Sequence, residues 1–463
     1  MYTMNRNIKD KKIVIIGLSR SGYAAAILAL KHKAKVYVSE NSDNKALRAK
    51  AKILIKKKAR VELGGHNPEF FKAADFFITS PGVKNKALPI VWAKKNKVKI
   101  YSEIEFASWF CPAPIIAITG SNGKTTVTTL LGKVLKQAGK KIVVCGNIGN
   151  PFSGEYLKFK KADFIVLEVS SFQLEYIQWF KPCLSIILNI TQNHFDHHRD
   201  MADYAKAKAK ILLNQDKTDF TVLNAADNLL REIAKKAKAR VLFFSRDKNL
   251  PRLAAEDLNC CLEKEKFMVQ VDKNNKFDFA LNALKIKGEH NQENVMAVSL
   301  AAKALGINNQ AIAAVLSRFK GLEHRCEKVA GINGISFIND SKSTTVDATD
   351  KALSVFADKS VILICGGRDK GSNFAVLEKK LKQKVLCVIA IGEARQKLLT
   401  AFSRFSPVLT ADSLNQAVRI AFKQAKSKQS ILLSPMCASF DMFDNFEHRG
   451  QVFKQIVQGI IKK

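Results

Sequence analysis

A glycine-containing turn followed by a lysine and two threonines is the part of this sequence best suited to chemistry. Apolar residues 115–119 predict a buried strand before the turn, and a helical pattern covers 127–137 after it. Backbone N–H groups and the dipole at a helix start favour an anion, and glycine lets the backbone approach it closely. We therefore predict a phosphate-binding loop for a nucleoside triphosphate, formed by Gly120, Ser121, Asn122, Gly123, Lys124, Thr125 and Thr126.

The spacing within this loop is unusual, because only Ser121 and Asn122 separate its two glycines, where a standard phosphate-binding loop has four residues. A solvated turn with an incidental lysine is the alternative. The agreement of strand, turn and helix favours the phosphate site. In it, Lys124 is predicted to reach the β- and γ-phosphate oxygens, and the Thr125 hydroxyl to bind Mg²⁺.

Two neighbouring strands are predicted to deliver metal ligands to this loop. The apolar run 163–168 ends in Glu168, a position that holds Mg²⁺ in many nucleotide-binding enzymes. The run 185–190 predicts a second strand, which leads into a histidine-rich stretch. His194 leaves that strand first and is predicted to have a role in the site, whereas the two later histidines of the stretch, His197 and His198, are predicted to be peripheral. A polar loop without ligands is the alternative for this stretch.

A lysine-rich helix follows at residues 203–211. Lys206 and Lys210 lie four residues apart and share one face, while Lys208 points elsewhere. The residues alone predict a solvated basic face and nothing more.

The N-terminal part of the chain has a Rossmann-like pattern. An apolar strand over 12–16 leads through a glycine turn into an Ala/Leu-rich helix, and a second strand over 35–40 ends in an acid. Ser19 replaces the middle glycine of a dinucleotide fingerprint, which is weak support for an NAD-binding module and leaves any nucleotide diphosphate possible. A later turn at 80–82 follows a third strand. Plain connections are the alternative for both turns.

Short apolar strands alternate with helical patterns along the whole chain, which predicts an α/β protein with mostly parallel sheets. The stiff segment 110–114 and a change of character at 321–325 mark the boundaries. We predict a Rossmann-like N-terminal domain over 1–101, a central domain over 102–320 that resembles a P-loop ATPase, and a Rossmann-like C-terminal α/β domain over 321–463. Three domains around one nucleotide imply hinge closure.

Composition excludes several classes. The net charge is +35, but the basic residues are spread along the chain without a nucleic-acid-binding fingerprint, so a Lys-rich surface is predicted and no specific nucleic-acid partner. No apolar run reaches the roughly 20 residues of a membrane span, and no signal peptide is predicted. Nine scattered cysteines favour free thiols in a reducing cytoplasm. We expect a cytoplasmic monomer.

Taken together, these motifs resemble the Mur ligases, which join amino acids to the nucleotide-linked peptidoglycan precursor. The loop at 119–126, with its two-residue spacer, is similar to the phosphate loop of that family. Stretches similar to its D-glutamate-adding members are 146–149, 167–175, 434–441 and 445–450, and the DNPR signature of the diaminopimelate- or lysine-adding members is absent. The resemblance implies ATP-driven addition of D-glutamate to UDP-N-acetylmuramoyl-L-alanine through an acyl phosphate. Another Mur ligase, or a folylpolyglutamate synthase-like amide ligase, is the alternative.

The resemblance also implies roles for individual residues. Two Mg²⁺ ions would be bound, the first by Thr125 and Glu168, the second by His194, and Lys208 would be a carbamylated lysine, whose two anionic oxygens suit a cation. The other implied positions are, for ATP, Asn291, Asn294, Arg325, Asp340 and Lys342; for the UDP-linked substrate, Ser21, Ser39, Glu40, Ser80 and Asn147; and for D-glutamate, Thr344, Lys370, Ser439, Phe440 and Phe446. Asn193 and Phe440 depart from the residues usual in the family.

Overall fold

The structure is a computed structural model that describes residues 7–191, 198–250, 258–369 and 371–461. The chain divides into two compact units, which we describe separately. The first comprises Met1–Lys285 and Glu289–Phe319, and the second comprises Ile286–Gly288 and Lys320–Lys463. Among the described residues, no helix has both the length and the apolar content needed to cross a bilayer.

The first unit begins with a parallel sheet of five strands in the order β3-β2-β1-β4-β5. Its strands are short apolar runs, and residues 13–16 of the central strand are almost completely buried. The strands are β1 Lys12–Ile16, β2 Lys35–Glu40, β3 Arg60–Leu63, β4 Phe76–Thr79 and β5 Lys99–Ser102, and the helices are α1 Arg20–Lys31, α2 Lys45–Lys56, α3 Leu88–Lys95 and α4 Glu103–Ser108, with a 3₁₀ turn at Pro68–Phe71.

A nine-stranded sheet follows in the same unit, in the order β14-β13-β12-β11-β10-β9-β6-β8-β7. Its strands are β6 Ile115–Thr119, β7 Ile142–Gly146, β8 Phe164–Glu168, β9 Leu184–Ile187, β10 Phe220–Asn224, β11 Arg240–Ser245, β12 Leu258–Glu263, β13 Lys266–Asp272 and β14 Asn275–Ala280. The pairings are parallel from β7 to β12, whereas β12, β13 and β14 form an antiparallel edge.

Helices of this central part cover the sheet. They are α5 Lys124–Gln137, α6 Ser171–Glu175, α7 Met201–Ala209, α8 Asn228–Ala234, α9 Glu289–Ala304 and α10 Asn309–Leu316, with 3₁₀ segments at Phe152–Lys161, Lys210–Leu212 and Leu281–Ala283. The 3₁₀ segment Phe152–Lys161 packs against α1 and α4, so the two sheets of the first unit share one core cluster.

The second unit contains a six-stranded sheet in the order β15-β16-β20-β17-β18-β19. Its strands are β15 Glu327–Ile332, β16 Ile335–Asn339, β17 Val361–Gly366, β18 Val385–Ile391, β19 Val408–Thr410 and β20 Ser430–Leu433, and its helices are α11 Val346–Leu353, α12 Glu378–Lys384, α13 Arg395–Phe402, α14 Leu414–Gln424 and α15 Phe446–Ile461, with a 3₁₀ turn at Phe374–Leu377. The β15–β16 pair is antiparallel and the others are parallel. Apolar clusters fill both faces of this sheet.

The predicted α/β architecture with three mostly parallel sheets is confirmed. Two predicted ranges differ from the structure: the run 163–168 begins as a strand at Phe164, and the strand predicted over 185–190 begins at Leu184 and ends at Ile187. Leu188 N–H still donates to Thr119 O of β6, but beyond it the backbone bonds to other segments, and Ile190 N–H, for example, donates to Asp227 Oδ2 over 2.7 Å.

Candidate functional site

The predicted phosphate loop is a tight turn between β6 and α5. Gly120 and Gly123 have φ angles of +148° and +83°, a region that disfavours side chains. Gly123 is the N-cap of α5, and a Cβ on it would lie 2.3 Å from Asn294 Oδ1. α9 therefore covers the loop through Asn294, and only glycine fits beneath that side chain.

The segment after β9 fixes the shape of the loop. Ser121 N–H donates to the Asn189 carbonyl and Asn122 N–H to Asn189 Oδ1, both over 2.9 Å. Thr191 N–H in turn donates to Ser121 Oγ over 2.9 Å. The predicted strand end is therefore a brace for the loop, which explains why β9 stops early.

Two lysines converge on one carbonyl of the loop. Lys124 Nζ lies 2.8 Å from Gly120 O and 2.9 Å from Ser121 O. Lys208 Nζ lies 3.0 Å from Gly120 O and 4.5 Å from the centre of the Tyr204 ring. Burial, with the neighbouring charge of Lys124, holds the pKa of Lys208 well below its ordinary value.

The prediction that the lysines of this helix form only a solvated face is therefore wrong for Lys208, which is 1 % exposed. Lys206 is exposed, as predicted, and Lys210 Nζ donates to the Glu175 carbonyl over 2.6 Å. The alternating Lys–Ala pattern does not predict this difference in burial, because the local sequence does not indicate which lysine contacts the loop.

Glu168 ends β8 beside β6, the strand that precedes the predicted phosphate loop. It is 1 % exposed, and its Oε1 accepts a hydrogen bond from Asn147 Nδ2 over 2.8 Å. Its Oε2 is buried and has no hydrogen-bond partner among the described residues. A buried carboxylate oxygen without a partner is costly, and a cation would satisfy it. Folding thus places Asn147 beside Glu168, the predicted metal ligand.

The predicted second metal ligand, His194, lies outside the described residues, as does His197. His198 is described and is buried, with Nε2 2.9 Å from Ser171 Oγ and its ring stacked on Phe172, and its peripheral place relative to the metal site stays a prediction. Within the described ranges, no group of three His, Cys, Asp or Glu side chains could hold a metal ion by itself.

A separate cavity of about 590 Å³ lies at the carboxyl ends of the first sheet. It contains the predicted residues Glu40 and Ser80, together with a residue that the sequence analysis missed, His66; its full lining is Ile16, Gly17, Ser19, Glu40, Asn41, His66, Ser80, Gly82, Val83, Lys84, Lys86, Ala87 and Leu88. Ser80 Oγ is buried without a hydrogen-bond partner among the described residues. A polar ligand in the cavity would satisfy it.

Other predicted residues near this cavity have structural partners. Glu40 accepts hydrogen bonds from Leu18 N–H over 2.7 Å and from Ser42 N–H over 2.9 Å. Ser39 is fully buried, and its hydroxyl bonds to Glu62 and His66. Ser21 lies in the first turn of α1 and is half-buried.

In the second unit, a buried arginine joins the loop after β16 to the loop after β20. Arg449 is 1 % exposed, and it donates from Nε to Ser341 Oγ over 3.0 Å, from Nη2 to Ser341 O over 2.9 Å, and to Cys437 O over 3.3 Å. Burial lowers the pKa of Arg449 to about 10. Two predicted D-glutamate residues follow Cys437: Ser439 is buried, whereas Phe440 is 63 % exposed.

The remaining predicted residues of this unit lie on the same loops or next to them. Asp340 is buried, and its carboxylate accepts from Ser434 Oγ over 2.7 Å and from Cys326 N–H over 3.1 Å; burial raises its pKa to about 6. Lys342 Nζ lies 5.5 Å from the centre of the Phe446 ring. Arg325 and Thr344 are half-buried.

Lys370 lies outside the described residues. Asn291 and Asn294 both lie on α9, where Asn294 Nδ2 is 3.4 Å from Asn291 Oδ1. Asn294 therefore sits at the phosphate loop, and the role of the pair in binding adenine stays a prediction.

Comparisons with known proteins agree with this arrangement. Three family profiles match: "Mur ligase MurD-like, N-terminal domain" over residues 11–102, "Mur ligase middle domain" over 118–302, and "Mur ligase, glutamate ligase domain" over 324–437. The UDP-N-acetylmuramoylalanine--D-glutamate ligases of Koribacter versatilis and Thermoanaerobacter pseudethanolicus are both 39 % identical, covering 98 % and 97 % of this chain and 98 % of each relative.

Among solved structures, the UDP-N-acetylmuramate-alanine ligase MurC from Thermotoga maritima matches with a TM-score of 0.58 and 20 % identity, covering 97 % of this chain and 99 % of the other. That similarity supports the fold alone. The full-length relatives and the three consecutive profiles support membership of the family as well as the fold, because they span both units of the chain. On this evidence, the chain belongs to the Mur ligase family.

Proposed function

We propose that this protein is an ATP-dependent ligase that adds D-glutamate to UDP-N-acetylmuramoyl-L-alanine in peptidoglycan precursor synthesis. The names of its full-length relatives support the substrates. The observation that carries the nucleotide part is the loop Gly120–Lys124 beside Glu168, whose buried Oε2 lacks a partner among the described residues. A cation between the loop and this oxygen would complete the site.

The proposed metal ligands are Thr125 and Glu168 for one Mg²⁺ and His194 for a second. Glu168 fits a hard cation because it offers an oxygen that makes no other bond to the described residues. When bound, Mg²⁺ neutralises charge on the phosphate oxygens. Lys124 would add a second positive group at the β- and γ-phosphates once it is released from Gly120 O and Ser121 O.

Lys208 is proposed to be carbamylated. Its amine is buried at the loop beside Lys124, where a second ammonium would be repelled. Carbamylation would replace that cation by an anion, and this group could then approach a metal ion beside the loop. The lowered pKa is consistent with the neutral amine that carbon dioxide requires.

The chemistry proposed for this site is amide formation through an acyl phosphate. The carboxylate of the UDP-linked substrate attacks the γ-phosphorus, ADP leaves, and the amine of D-glutamate then attacks the acyl carbon and displaces phosphate. Such a reaction depends on positioning and charge neutralisation more than on a protein nucleophile. The rigid loop, braced by Asn189 and covered by Asn294, provides that positioning.

The UDP part is proposed to bind the cavity at the first sheet, with Ser21, Glu40 and Ser80 near it and Lys84 and Lys86 supplying positive charge. Ser39 would act through its neighbours, since its hydroxyl is already bonded. Asn147 is proposed to contact the muramoyl part. D-Glutamate is proposed to bind the second unit at Thr344, Lys370, Ser439, Phe440 and Phe446, while Arg325, Asp340 and Lys342 remain predicted ATP residues.

The profile matches support domain boundaries near residues 101 and 320, which we propose as the divisions between substrate-, ATP- and amino-acid-binding domains. A reducing cytoplasmic location is proposed as well, since all nine cysteines are free thiols.

The test is phosphate release from ATP in the presence of UDP-N-acetylmuramoyl-L-alanine and one amino acid at a time. We expect release with D-glutamate that exceeds release with L-glutamate, D-alanine, L-lysine or diaminopimelate by at least about a hundredfold. Equal release with another amino acid would assign a different Mur reaction. Release with a folate acceptor instead of the UDP-linked acid would assign a folylpolyglutamate synthase-like reaction.

A further inference from the structure

Three side chains form a hydrogen-bonded chain that ends at the cavity of the first sheet. Ser39 Oγ lies 2.5 Å from Glu62 Oε1 and 2.7 Å from His66 Nδ1. A carboxylate only accepts hydrogen bonds, so the single proton of the Ser39 hydroxyl goes to Glu62. The Ser39 oxygen must then accept from His66, and the proton of the neutral ring is on Nδ1.

This assignment leaves Nε2 of His66 as a hydrogen-bond acceptor. No described residue bonds to that nitrogen, and the ring lines the cavity. Burial lowers the pKa of His66 despite the carboxylates of Glu62 and Glu40, which favours the neutral ring. The cavity therefore offers a hydrogen-bond acceptor, His66 Nε2, whose orientation is fixed by Ser39 and Glu62.

The strand order indicates which part of a nucleotide would meet this acceptor. The glycine turn follows β1, Glu40 ends β2, and His66 follows β3, and these strands are neighbours in the order β3-β2-β1. In Rossmann-like sheets the phosphates lie at the first turn and the ribose lies at the acid that ends the second strand. His66 is one strand further out, where the base would lie.

We propose that His66 is a specificity-determining residue that recognises uracil, by accepting a hydrogen bond at Nε2 from the N3–H group of the base. The inference rests on the proposed function, because it assumes a UDP-linked substrate in this cavity. Uracil carries a proton at N3, whereas the corresponding nitrogen of cytosine is an acceptor and would face the Nε2 lone pair. Ser39 and Glu62 are positioning residues, since they hold the tautomer and touch no ligand.

The experiment compares UDP, CDP and 2′-deoxy-UDP by titration calorimetry on the full-length protein and its His66→Phe variant. We expect the wild type to bind UDP at least about tenfold more tightly than CDP, and His66→Phe to reduce this preference below about threefold by weakening UDP. Ser39→Ala should give an intermediate loss. His32→Phe is the matched control, because His32 is a half-buried histidine stacked on Phe110 and does not line the cavity.

The possible outcomes separate this inference from the proposed function. Absence of UDP binding to the wild type contradicts the proposed substrate. UDP binding with an unchanged UDP-to-CDP ratio in His66→Phe, or an equal loss for both nucleotides, overturns only the role of His66. If His66→Phe changes the ratio of the affinities for UDP and 2′-deoxy-UDP but keeps the preference for UDP over CDP, His66 contacts the ribose. That result would also overturn the role of His66 in recognising uracil.

Should His66→Phe fail to fold, nitrogen-15 NMR of histidine-labelled wild type gives the answer directly. We expect the His66 proton on Nδ1 and a change of the Nε2 resonance on addition of UDP. A proton on Nε2, or no response of Nε2 to UDP, overturns the inference.

Discussion

Asn147 donates a hydrogen bond from Nδ2 to Glu168 Oε1 over 2.8 Å, which leaves the other carboxylate oxygen buried without a partner in the described chain. The amide thereby orients the carboxylate, in the way that outer hydrogen bonds orient metal ligands.

Glu168→Gln should raise the Mg²⁺ concentration needed for half-maximal phosphate release by about tenfold or more, because it removes the anionic ligand and keeps the shape. The free energy of unfolding should not fall, since a buried unpaired charge is lost. Asn147→Ala should give a smaller shift in the same direction. Glu232→Gln, a change on the exposed surface, is the control. An unchanged Mg²⁺ requirement in Glu168→Gln would exclude Glu168 as a ligand.

Lys124→Ala should lower ATP turnover by about a hundred- to a thousandfold while leaving the circular dichroism spectrum unchanged. Lys124 Nζ donates to Gly120 O and Ser121 O, which places its positive charge at the predicted phosphate loop. Lys136→Ala, in the last turn of the same helix, should behave as wild type. Retained turnover in Lys124→Ala would place the triphosphate elsewhere.

Lys208→Ala should lower ligase activity by about a hundredfold or more, with partial recovery on addition of a short carboxylate such as acetate. The matched control is Lys206→Ala, on the same helix but exposed, which should remain active. Mass spectrometry of the intact protein under carbon dioxide should also detect the carbamate. If Lys206→Ala loses ligase activity and recovers it with acetate, while Lys208→Ala does not, Lys206 and not Lys208 would be the carbamylated lysine.

Ser439→Ala should raise the KM for D-glutamate by about tenfold and that for ATP by less than about threefold, which is the size expected for one lost hydrogen bond. Ser439 is buried on the loop that Arg449 holds through Cys437, and its carbonyl accepts from Phe443 N–H over 2.8 Å, so its backbone has a defined position. Ser403→Ala, at the end of α13, is the control. An equal rise in both KM values would contradict a selective role in amino-acid binding.

Glu103 predicts a pH dependence of stability. Its carboxyl is buried between α4 and the segment Phe152–Lys161, where Oε1 accepts from Ser153 N–H over 2.6 Å and Oε2 has no partner in the described residues. Burial raises its pKa to about 7. Since the folded pKa exceeds the ordinary value of 4.5, the protonated form stabilises the fold below pH 4.5, and this contribution is lost as the pH rises through 7.

The measurement is urea unfolding followed by tryptophan fluorescence, which reports on the first unit because all three tryptophans lie in it. Between pH 5 and pH 8, the wild type should lose about 2 kcal/mol relative to Glu103→Gln. Glu232→Gln should show the pH dependence of the wild type. Parallel curves for the wild type and Glu103→Gln would mean that the carboxyl does not change its protonation in this range.

Much of the fold was predictable because buried parallel strands are apolar runs. The boundaries of β1 and β2 match the predicted ranges 12–16 and 35–40. The antiparallel edge β12–β14 was not predicted, although Phe267 and Val269 of β13 and Phe277 and Phe279 of β14 alternate with more exposed residues, a period of two that could have shown these strands. The end of β9 depended on bonds to a distant loop, which no local pattern contains.

The residues of the site also divide into those predictable from the local sequence and those that depend on distant contacts. Glu168 could be predicted from its place at the end of an apolar strand, and the structure supports it with an oxygen left for a ligand. The burial of Lys208 depends on Gly120 O and the Tyr204 ring, which are brought to it only by folding. His66 lies in an ordinary glycine turn, so its hydrogen bond to Ser39 could not be anticipated from neighbouring residues.

The position of Asn294 Oδ1 above Gly123 has a consequence for how this protein can vary. Shortening Asn294 would make room at residue 123 but would not change the left-handed backbone there, so a second mutation cannot compensate for the loss of this glycine. Resistance to an inhibitor lodged against this turn would therefore have to arise at positions other than residue 123.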